Sequence, residues 1–166
     1  ACRQMSIWQE AFPTESPLTI SVNLSGLQLS QLGLIEQIDQ ILQETRIIRQ
    51  SLKLEITESR LIGNTSFEVA MLEQLKELGI QLLIDDFGTG YSSLARLHQM
   101  PIDTLKIDRS FVSQMSGDSE SLEIVRTIIT LAHSLGMDAI AEGVETAEQL
   151  AQLQALQCEY GQGYLF

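Results

Sequence analysis

Basic residues are scarce in this chain, where 10 lysines and arginines stand against 22 aspartates and glutamates for a formal net charge of -12. Binding of a nucleic acid polymer needs basic patches that displace counterions from the phosphates. Aromatic residues, at 5%, are too few for a base-stacking platform. These shortages argue against a protein that binds DNA or RNA. A small phosphate ester is still compatible with this composition as a ligand if metal ions neutralise the site.

Cysteine, proline and long apolar runs are also scarce. Cys2 and Cys158 have no metal-ligand spacing and are too few for a disulfide framework, so both are predicted to be unpaired thiols, with Cys158 packed. No apolar run approaches the roughly 20 residues that cross a bilayer. The first residues lack the pattern of a signal peptide, and a cytoplasmic location is expected. With 166 residues, three prolines and 44% hydrophobic content, the chain is long enough for one domain with a sizeable core.

The chain does contain a repeated unit, a short β-prone run that ends in a polar or charged residue and precedes a helical pattern. Strands are predicted at residues 18–24, 52–57, 81–86, 104–108, 137–143 and 159–166. Helices are predicted at residues 1–11, 34–45, 92–99 and 122–135, and after capping-box patterns that begin at Thr65 and Thr146. The alternation favours a parallel sheet covered by helices.

Polar residues mark the carboxyl ends of these predicted strands. They are Asn23, Glu55, Asp85, Asp86, Lys106, Glu142 and Gln162. A parallel sheet gathers such ends on one edge, and they converge if the sheet closes into a barrel. An open doubly wound sheet uses chiefly the two strands beside a switch point. Contributions from six consecutive units favour the barrel.

The pair Asp85-Asp86, between an apolar run and a glycine-rich loop, is a candidate metal site because divalent cations relieve the repulsion of adjacent carboxylates. A surface turn is the ordinary alternative for such a pair. Glu55 lies between Leu54 and Ile56, where an unpaired carboxylate is costly, so a functional role is favoured. Lys106 lies in a predicted strand. A strand in a helix-wrapped barrel has no solvated face, so we expect the Lys106 side chain to lie at the mouth of the barrel.

Other candidates have equally ordinary alternatives. A hydrogen bond to the turn after its strand also explains Asn23. Gln162 lies near a chain end, where an amide has many structural roles. Glu58 and Glu145 are compatible with helix-start carboxylates that complement the macrodipole. His98 and His133 lie in helical patterns beside apolar residues, where structural packing is favoured over catalysis.

Several motifs together resemble the EAL domain family of bacterial cyclic di-GMP phosphodiesterases. They are Ser21-Val22-Asn23-Leu24-Ser25, Leu54-Glu55-Ile56-Thr57-Glu58-Ser59, Asp85-Asp86-Phe87-Gly88-Thr89-Gly90-Tyr91-Ser92-Ser93-Leu94, Leu105-Lys106-Ile107-Asp108, Ala141-Glu142-Gly143-Val144-Glu145-Thr146 and Gly161-Gln162-Gly163-Tyr164. Their order and coverage of nearly the whole chain make the resemblance specific.

The resemblance implies a TIM-like (β/α)8 barrel and two-metal hydrolysis of cyclic di-GMP to linear pGpG with Mg2+ or Mn2+. Metal ligands are expected at Asn23, Glu55, Asp85 and Asp86, and catalytic roles at Lys106 and Glu142. Supporting roles are expected at Glu58, which would anchor the loop that begins at Asp85, and at Glu145 and Gln162. A homodimer and other signalling domains of the same polypeptide are the expected partners besides cyclic di-GMP.

The Glu-Ala-Leu signature of the family does not occur in the sequence, and about six strands are predicted where closure needs about eight. We therefore expect residues 1–166 to be a partial domain, without its N-terminal strands and C-terminal helix, and to hydrolyse poorly. A catalytically silent cyclic di-GMP sensor is the alternative function. A TIM-barrel enzyme for another phosphate ester is a more distant one.

Overall fold

The computed structural model describes residues 1–14, 17–58, 66–90 and 94–166. Within these residues it contains six β-strands and eight α-helices. The chain divides into two compact units, residues 1–56 with 63–82 and residues 57–62 with 83–166. In the described part of the chain, no helix is both long and apolar enough to cross a membrane.

The first unit begins with a helix and contains a pair of parallel strands. Its elements are α1 (Cys2–Ala11), β1 (Ile20–Asn23), α2 (Gly26–Leu29), α3 (Leu34–Thr45), a 3-10 turn (Arg49–Ser51), β2 (Leu52–Thr57) and α4 (Ser66–Glu77). β1 and β2 run parallel, with Asn23 opposite Glu55 at the end of the register. Ser25 caps α2 through a capping box with Gln28. Four residues are too few to produce a helical period, which is why the sequence does not predict α2.

The second unit contains four parallel strands in chain order. Its elements are β3 (Gln81–Phe87, within this unit from residue 83), α5 (Leu94–Leu97), β4 (Thr104–Ile107), α6 (Arg109–Gln114), α7 (Ser119–Ser134), β5 (Asp138–Glu142), α8 (Ala147–Ala155) and β6 (Tyr160–Gln162). β4 pairs with both β3 and β5, and β5 pairs with β6. Lys106 lies opposite Ile140, and Glu142 opposite Gln162.

The core of the second unit follows the rule that parallel strands are covered on both faces. All four residues of β4 are buried, and Leu105 and Ile107 have no exposed surface. Ala139 and Ala141 of β5 are also fully buried. α7 packs on β4 and β5 through its buried face. A charged side chain on these strands is therefore stable only with a partner.

The sequence places most elements within a few residues of their observed bounds. The strand predicted at 159–166 is too long, because β6 ends at Gln162 and the chain then turns so that the amide of Leu165 donates to the carbonyl of Val144. α6 was not predicted. Thr146 forms the predicted capping box with Gln149, while Thr65 and Ser92 lie outside the described residues.

The cysteines are unpaired, and His133 makes a structural contact. Both thiols are free, and burial raises the pKa of Cys158 to about 11. His133 pairs with Glu159 at 2.8 Å, and Glu159 also accepts a hydrogen bond from the Ala139 amide at 2.9 Å. This pairing links the end of α7 to the starts of β5 and β6, which is a structural role.

Candidate metal centre

The centre begins with a backbone irregularity at the end of β3. Ile84 pairs with Leu105 and Phe87 with Ile107, so β3 carries one more residue than β4 over this interval. Such a bulge changes the direction of side chains that would otherwise alternate between faces. Asp86 lies within it and has a left-handed backbone, with φ at 55°. Aspartate adopts this conformation more readily than most residues, and strained backbone concentrates at functional sites.

The bulge accompanies a cluster of three carboxylates. Asp85, Asp86 and Glu142 each present an oxygen, and these oxygens all lie within 4.8 Å of one another. Glu142 ends β5, two strands away from β3 in the same unit. Hard oxygen donors at this spacing fit a divalent cation such as Mg2+ or Mn2+.

A buried lysine holds two of the three carboxylates. The Lys106 ammonium lies 2.7 Å from Asp85 Oδ1 and 2.6 Å from Glu142 Oε1. Its side chain is 5% exposed, against 16% and 20% for its two partners. The prediction that Lys106 avoids solvent agrees with this burial. The lysine supplies one positive charge to a group of three acids.

Electrostatics make Asp86 unlike its neighbours. Burial and the nearby carboxylates of Asp85 and Asp108 raise the pKa of Asp86, against the opposing charge of Lys106. Burial acts in the same direction on Asp108, but hydrogen bonds from Ser110 and Asp86 outweigh it and lower the pKa of Asp108. Asp86 thus keeps its proton more readily than Asp108 when no cation is bound.

Asp108 is a site residue that the sequence analysis missed. It follows β4 directly and caps α6, since its carboxylate accepts a hydrogen bond from the Ser110 amide at 2.8 Å. Its side chain also bonds to Asp86. A signal was present, because Asp is among the residues preferred at a helix N-cap.

Glu58 fixes the loop that follows β3. Its Oε2 atom accepts hydrogen bonds from the amides of Gly88 at 2.8 Å and Gly90 at 3.0 Å, and the residue is only 3% exposed. A Cβ on Gly90 would approach the Glu58 carboxylate to 2.9 Å. These contacts agree with the expected anchoring role of Glu58 and explain why a glycine stands at residue 90.

Asn23 and Glu55 lie in the first unit, as opposite residues at the ends of β1 and β2. Glu55 is 8% exposed, whereas Asn23 is exposed and lines a largely apolar cleft of about 320 Å³ in this unit. The Leu24 amide donates to the Glu55 carbonyl at 2.8 Å, which extends the pairing by one residue. The structure thus brings these two predicted ligands together as a pair.

Gln162 and Glu145 line a cleft of about 360 Å³ in the second unit, which also exposes Glu142. Arg109 lines the same cleft, and no sequence signal singled it out. The cleft therefore joins one member of the acidic cluster to both supporting residues. Parallel strands with an acidic, lysine-bearing centre at their carboxyl ends define a barrel-type α/β protein with a candidate metal site.

The comparison with protein families agrees with this description. The family model described as EAL domain matches residues 1–166. Cyclic di-GMP phosphodiesterase NbdA from Pseudomonas aeruginosa is 43% identical over 149 residues, which is 90% of this chain and 19% of that protein. The bifunctional diguanylate cyclase/cyclic di-GMP phosphodiesterase MucR of the same species is 40% identical over 165 residues, 99% of this chain and 24% of the relative. The chain belongs to the EAL domain family.

Solved structures agree on the fold. The phosphodiesterase PaMucR in complex with c-di-GMP has a TM-score of 0.92 at 40% identity, covering 99% of this chain and 66% of that one. The EAL domain of Mycobacterium smegmatis DcpA gives the same score and identity, with 99% and 74% covered. The predicted fold class, a TIM-like barrel present here in part as six parallel strands, is confirmed. The chain spans about a fifth to a quarter of the curated relatives' length.

Proposed function

We propose that this chain belongs to a domain that hydrolyses one phosphodiester bond of cyclic di-GMP to give linear pGpG in a metal-dependent reaction, and that residues 1–166 by themselves carry out this reaction slowly. The observation that carries the proposal is the Asp85, Asp86 and Glu142 cluster with Lys106 bonded inside it. Relatives at 40% and 43% identity are named as cyclic di-GMP phosphodiesterases. The retained acids favour catalysis over the alternative of a silent sensor.

Asp85 and Asp86 would hold divalent ions, with Asn23 and Glu55 as further ligands. The donor set fits, because carboxylate and amide oxygens are the ligands that Mg2+ and Mn2+ prefer. When bound, a pair of such ions neutralises the phosphodiester, acidifies a water and stabilises the leaving oxygen. Because the pKa of Asp86 is raised, protons compete with a metal ion for this carboxylate as the pH falls.

Lys106 and Glu142 are the proposed catalytic residues. The ammonium of Lys106 bonds Asp85 and Glu142, and its positive charge can attract a nonbridging phosphate oxygen or the attacking water. Glu142 is the proposed general base. Its side chain is 20% exposed and lines the large cleft, so an incoming water can reach it.

Supporting roles are proposed for Glu58, Glu145 and Gln162. Glu58 holds the backbone that follows Asp86 through two amide hydrogen bonds. Gln162 lies beside Glu142 in the strand register, and Glu145 lines the same cleft. These positions orient a substrate next to the acidic cluster.

A homodimer, additional signalling domains of the same polypeptide and a cytoplasmic location complete the proposal. The location follows from the proposed substrate, because a second messenger acts inside the cell, and the homodimer and the signalling domains are proposed from the likeness to the EAL domain family. One relative, MucR, is named as bifunctional, which illustrates such an arrangement.

Hydrolysis with the Glu142→Ala variant tests the function. The chain is incubated with cyclic di-GMP and Mn2+, and pGpG is measured by anion-exchange chromatography. We expect slow turnover that EDTA removes, and a further loss of roughly 100-fold or more in the variant because a positioned proton acceptor contributes at least that factor. The control Glu148→Ala removes an exposed carboxylate in the first turn of α8 and should leave turnover unchanged.

Two results would contradict the proposal. Binding of cyclic di-GMP without any turnover in the unmodified chain would favour the silent sensor. Equal turnover of Glu142→Ala and the unmodified chain would remove Glu142 from the mechanism.

A further inference from the structure

Arg109 is a cleft-lining cation that the proposed mechanism does not use. It is the first residue of α6 and lines two clefts of about 360 and 340 Å³. Both clefts are also lined by Gly143 and Glu145, so they are contiguous around these residues. The first reaches Glu142 of the acidic cluster.

Arg109 and Glu145 carry opposite charges in the same clefts without neutralising each other. Within the described residues, neither side chain forms a salt bridge within 4.0 Å or a side-chain hydrogen bond. The charge of Arg109 lowers the pKa of the neighbouring Asp108, but the two side chains form no salt bridge within the described residues. Arg109 and Glu145 therefore offer a planar group of donors and a pair of acceptors to a ligand.

The backbone fixes the stem of Arg109. Gly143 has φ at 73°, and a Cβ at this residue would lie 2.8 Å from the Arg109 Cβ and 3.5 Å from its Cα. The turn after β5 thus packs directly on the start of α6, where only a glycine fits. The arginine is held at its base, which lowers the cost of orienting the guanidinium on a ligand.

Guanine is the ligand group that matches this pair. Its O6 and N7 atoms accept two hydrogen bonds from a guanidinium, while its N1–H and N2–H groups donate to a carboxylate. Adenine presents an amino group where guanine has O6, and an acceptor where guanine has N1–H, so it opposes both side chains. A phosphate alone fits poorly, because the Glu145 carboxylate and the negative chain repel it.

We propose that Arg109 and Glu145 form a specificity subsite that reads the edges of one guanine of the substrate. This inference rests on the proposed function, since it takes a guanine dinucleotide as the ligand. The exposed ring of Tyr164, which lines the first cleft, offers a face on which the same base can stack. Stacking does not distinguish bases, so discrimination falls to Arg109 and Glu145.

Titration calorimetry of the chain with cyclic di-GMP and cyclic di-AMP tests the subsite. EDTA is present so that metal-dependent turnover does not consume the ligand. The unmodified chain should prefer the guanine compound, and Arg109→Ala should weaken its binding by roughly tenfold or more with little change for the adenine compound. Glu145→Gln should reduce the preference in the same direction.

Two control variants separate specific from general effects. Arg126→Ala removes an exposed arginine of α7 that pairs with Glu123 and should change neither affinity. Tyr164→Ala should weaken the binding of both compounds equally, because it removes only the stacking contact. Arg109→Lys, which keeps the charge but loses the planar pair of donors, should restore little of the preference.

The outcomes distinguish this inference from the proposed function. Loss of the guanine preference in Arg109→Ala supports the subsite even if the chain hydrolyses nothing. If Arg109→Ala weakens the binding of both compounds equally, Arg109 contacts a phosphate rather than guanine. That result would overturn the subsite, whether or not hydrolysis is observed. A chain that binds neither compound, or shows no preference, would overturn it as well.

Discussion

At the residue scale, the acidic centre depends on how its charges are compensated. Lys106 bonds Asp85 and Glu142, so these two acids keep a partner when no metal is present. The charge of Lys106 also acts on Asp86, but Asp86 shares a hydrogen bond with Asp108, and its pKa is raised. A buried charge pair is costly to break on one side. Lys106 therefore compensates Asp85 and Glu142 without metal, and Asp86 is the proposed metal ligand whose pKa is raised.

The Asp86→Asn variant should separate stability from metal binding. In EDTA at neutral pH we expect a rise of under about 1 kcal/mol in the free energy of unfolding, because the raised pKa shows that the fold disfavours the ionised carboxylate, which water still screens. Asn also tolerates the left-handed backbone. Urea unfolding measures the gain.

The pH dependence of this gain has a definite sign. The folded-state pKa of Asp86 is raised above 3.8, so the wild-type chain loses stability as pH rises from 3.8 through the folded pKa. The two proteins should be equally stable below that range and should differ above it. Mn2+ affinity should fall in Asp86→Asn and stay unchanged in Asp138→Asn, an exposed residue at the start of β5. Unaltered Mn2+ affinity in Asp86→Asn would exclude Asp86 as a ligand.

At the element scale, the loop after β3 depends on close contacts with two helices. Gly88 has φ at 102°, and a Cβ there would lie 2.9 Å from the Phe111 ring of α6 and 3.1 Å from Ile128 of α7. The Gly88 amide also donates to Glu58. The loop, the cap of α6 and the bulge of β3 are therefore one packed arrangement around Asp86.

Alanine at residue 88 should damage this arrangement. We expect Gly88→Ala to lower the free energy of unfolding by about 2 to 4 kcal/mol, since a strained backbone and overpacking each cost about 1 to 3 kcal/mol. The urea midpoint provides the measurement.

Gly117→Ala is the matched control. Gly117 has a negative φ and open space around a built Cβ, so its substitution should be neutral or slightly stabilising. If both variants unfold at the same urea concentration, the close contacts of Gly88 do not contribute to the free energy of unfolding.

At the scale of the whole molecule, the net charge of -12 dominates. Self-repulsion among acids destabilises a compact state, and salt of any kind relieves part of it by screening. A specific divalent site adds a second effect, because a ligand that binds only the folded state stabilises it by mass action. The two effects can be separated by matching ionic strength.

Mg2+ should raise the melting temperature of the chain more than NaCl at equal ionic strength. At a concentration 100 times the dissociation constant, the added stability is about 2.7 kcal/mol. Differential scanning calorimetry measures the shift. The excess should disappear in Glu142→Ala, which lacks one acid of the cluster, and persist in Glu148→Ala. Identical shifts with the two salts would show that no specific divalent site contributes.

Sequence patterns alone predict the elements and the acids that end them. Strand β2 has its predicted bounds, and β3, β4 and β5 lie within one residue or so of theirs, because runs such as Leu82-Leu83-Ile84 are buried on both faces. The residues that follow these runs are confined to the strand ends by chain order alone. Thr146 and Gln149 likewise form the capping box that their spacing predicts.

Which of those residues meet depends on packing between elements. Asp85 and Asp86 join Glu142 because β3 carries one extra residue against β4, and a register of this kind depends on the partner strand. The contact between Arg109 and Gly143 joins α6 to the turn after β5, 34 positions later in the chain. Periodicity describes neighbours along one element, whereas these contacts depend on packing between elements.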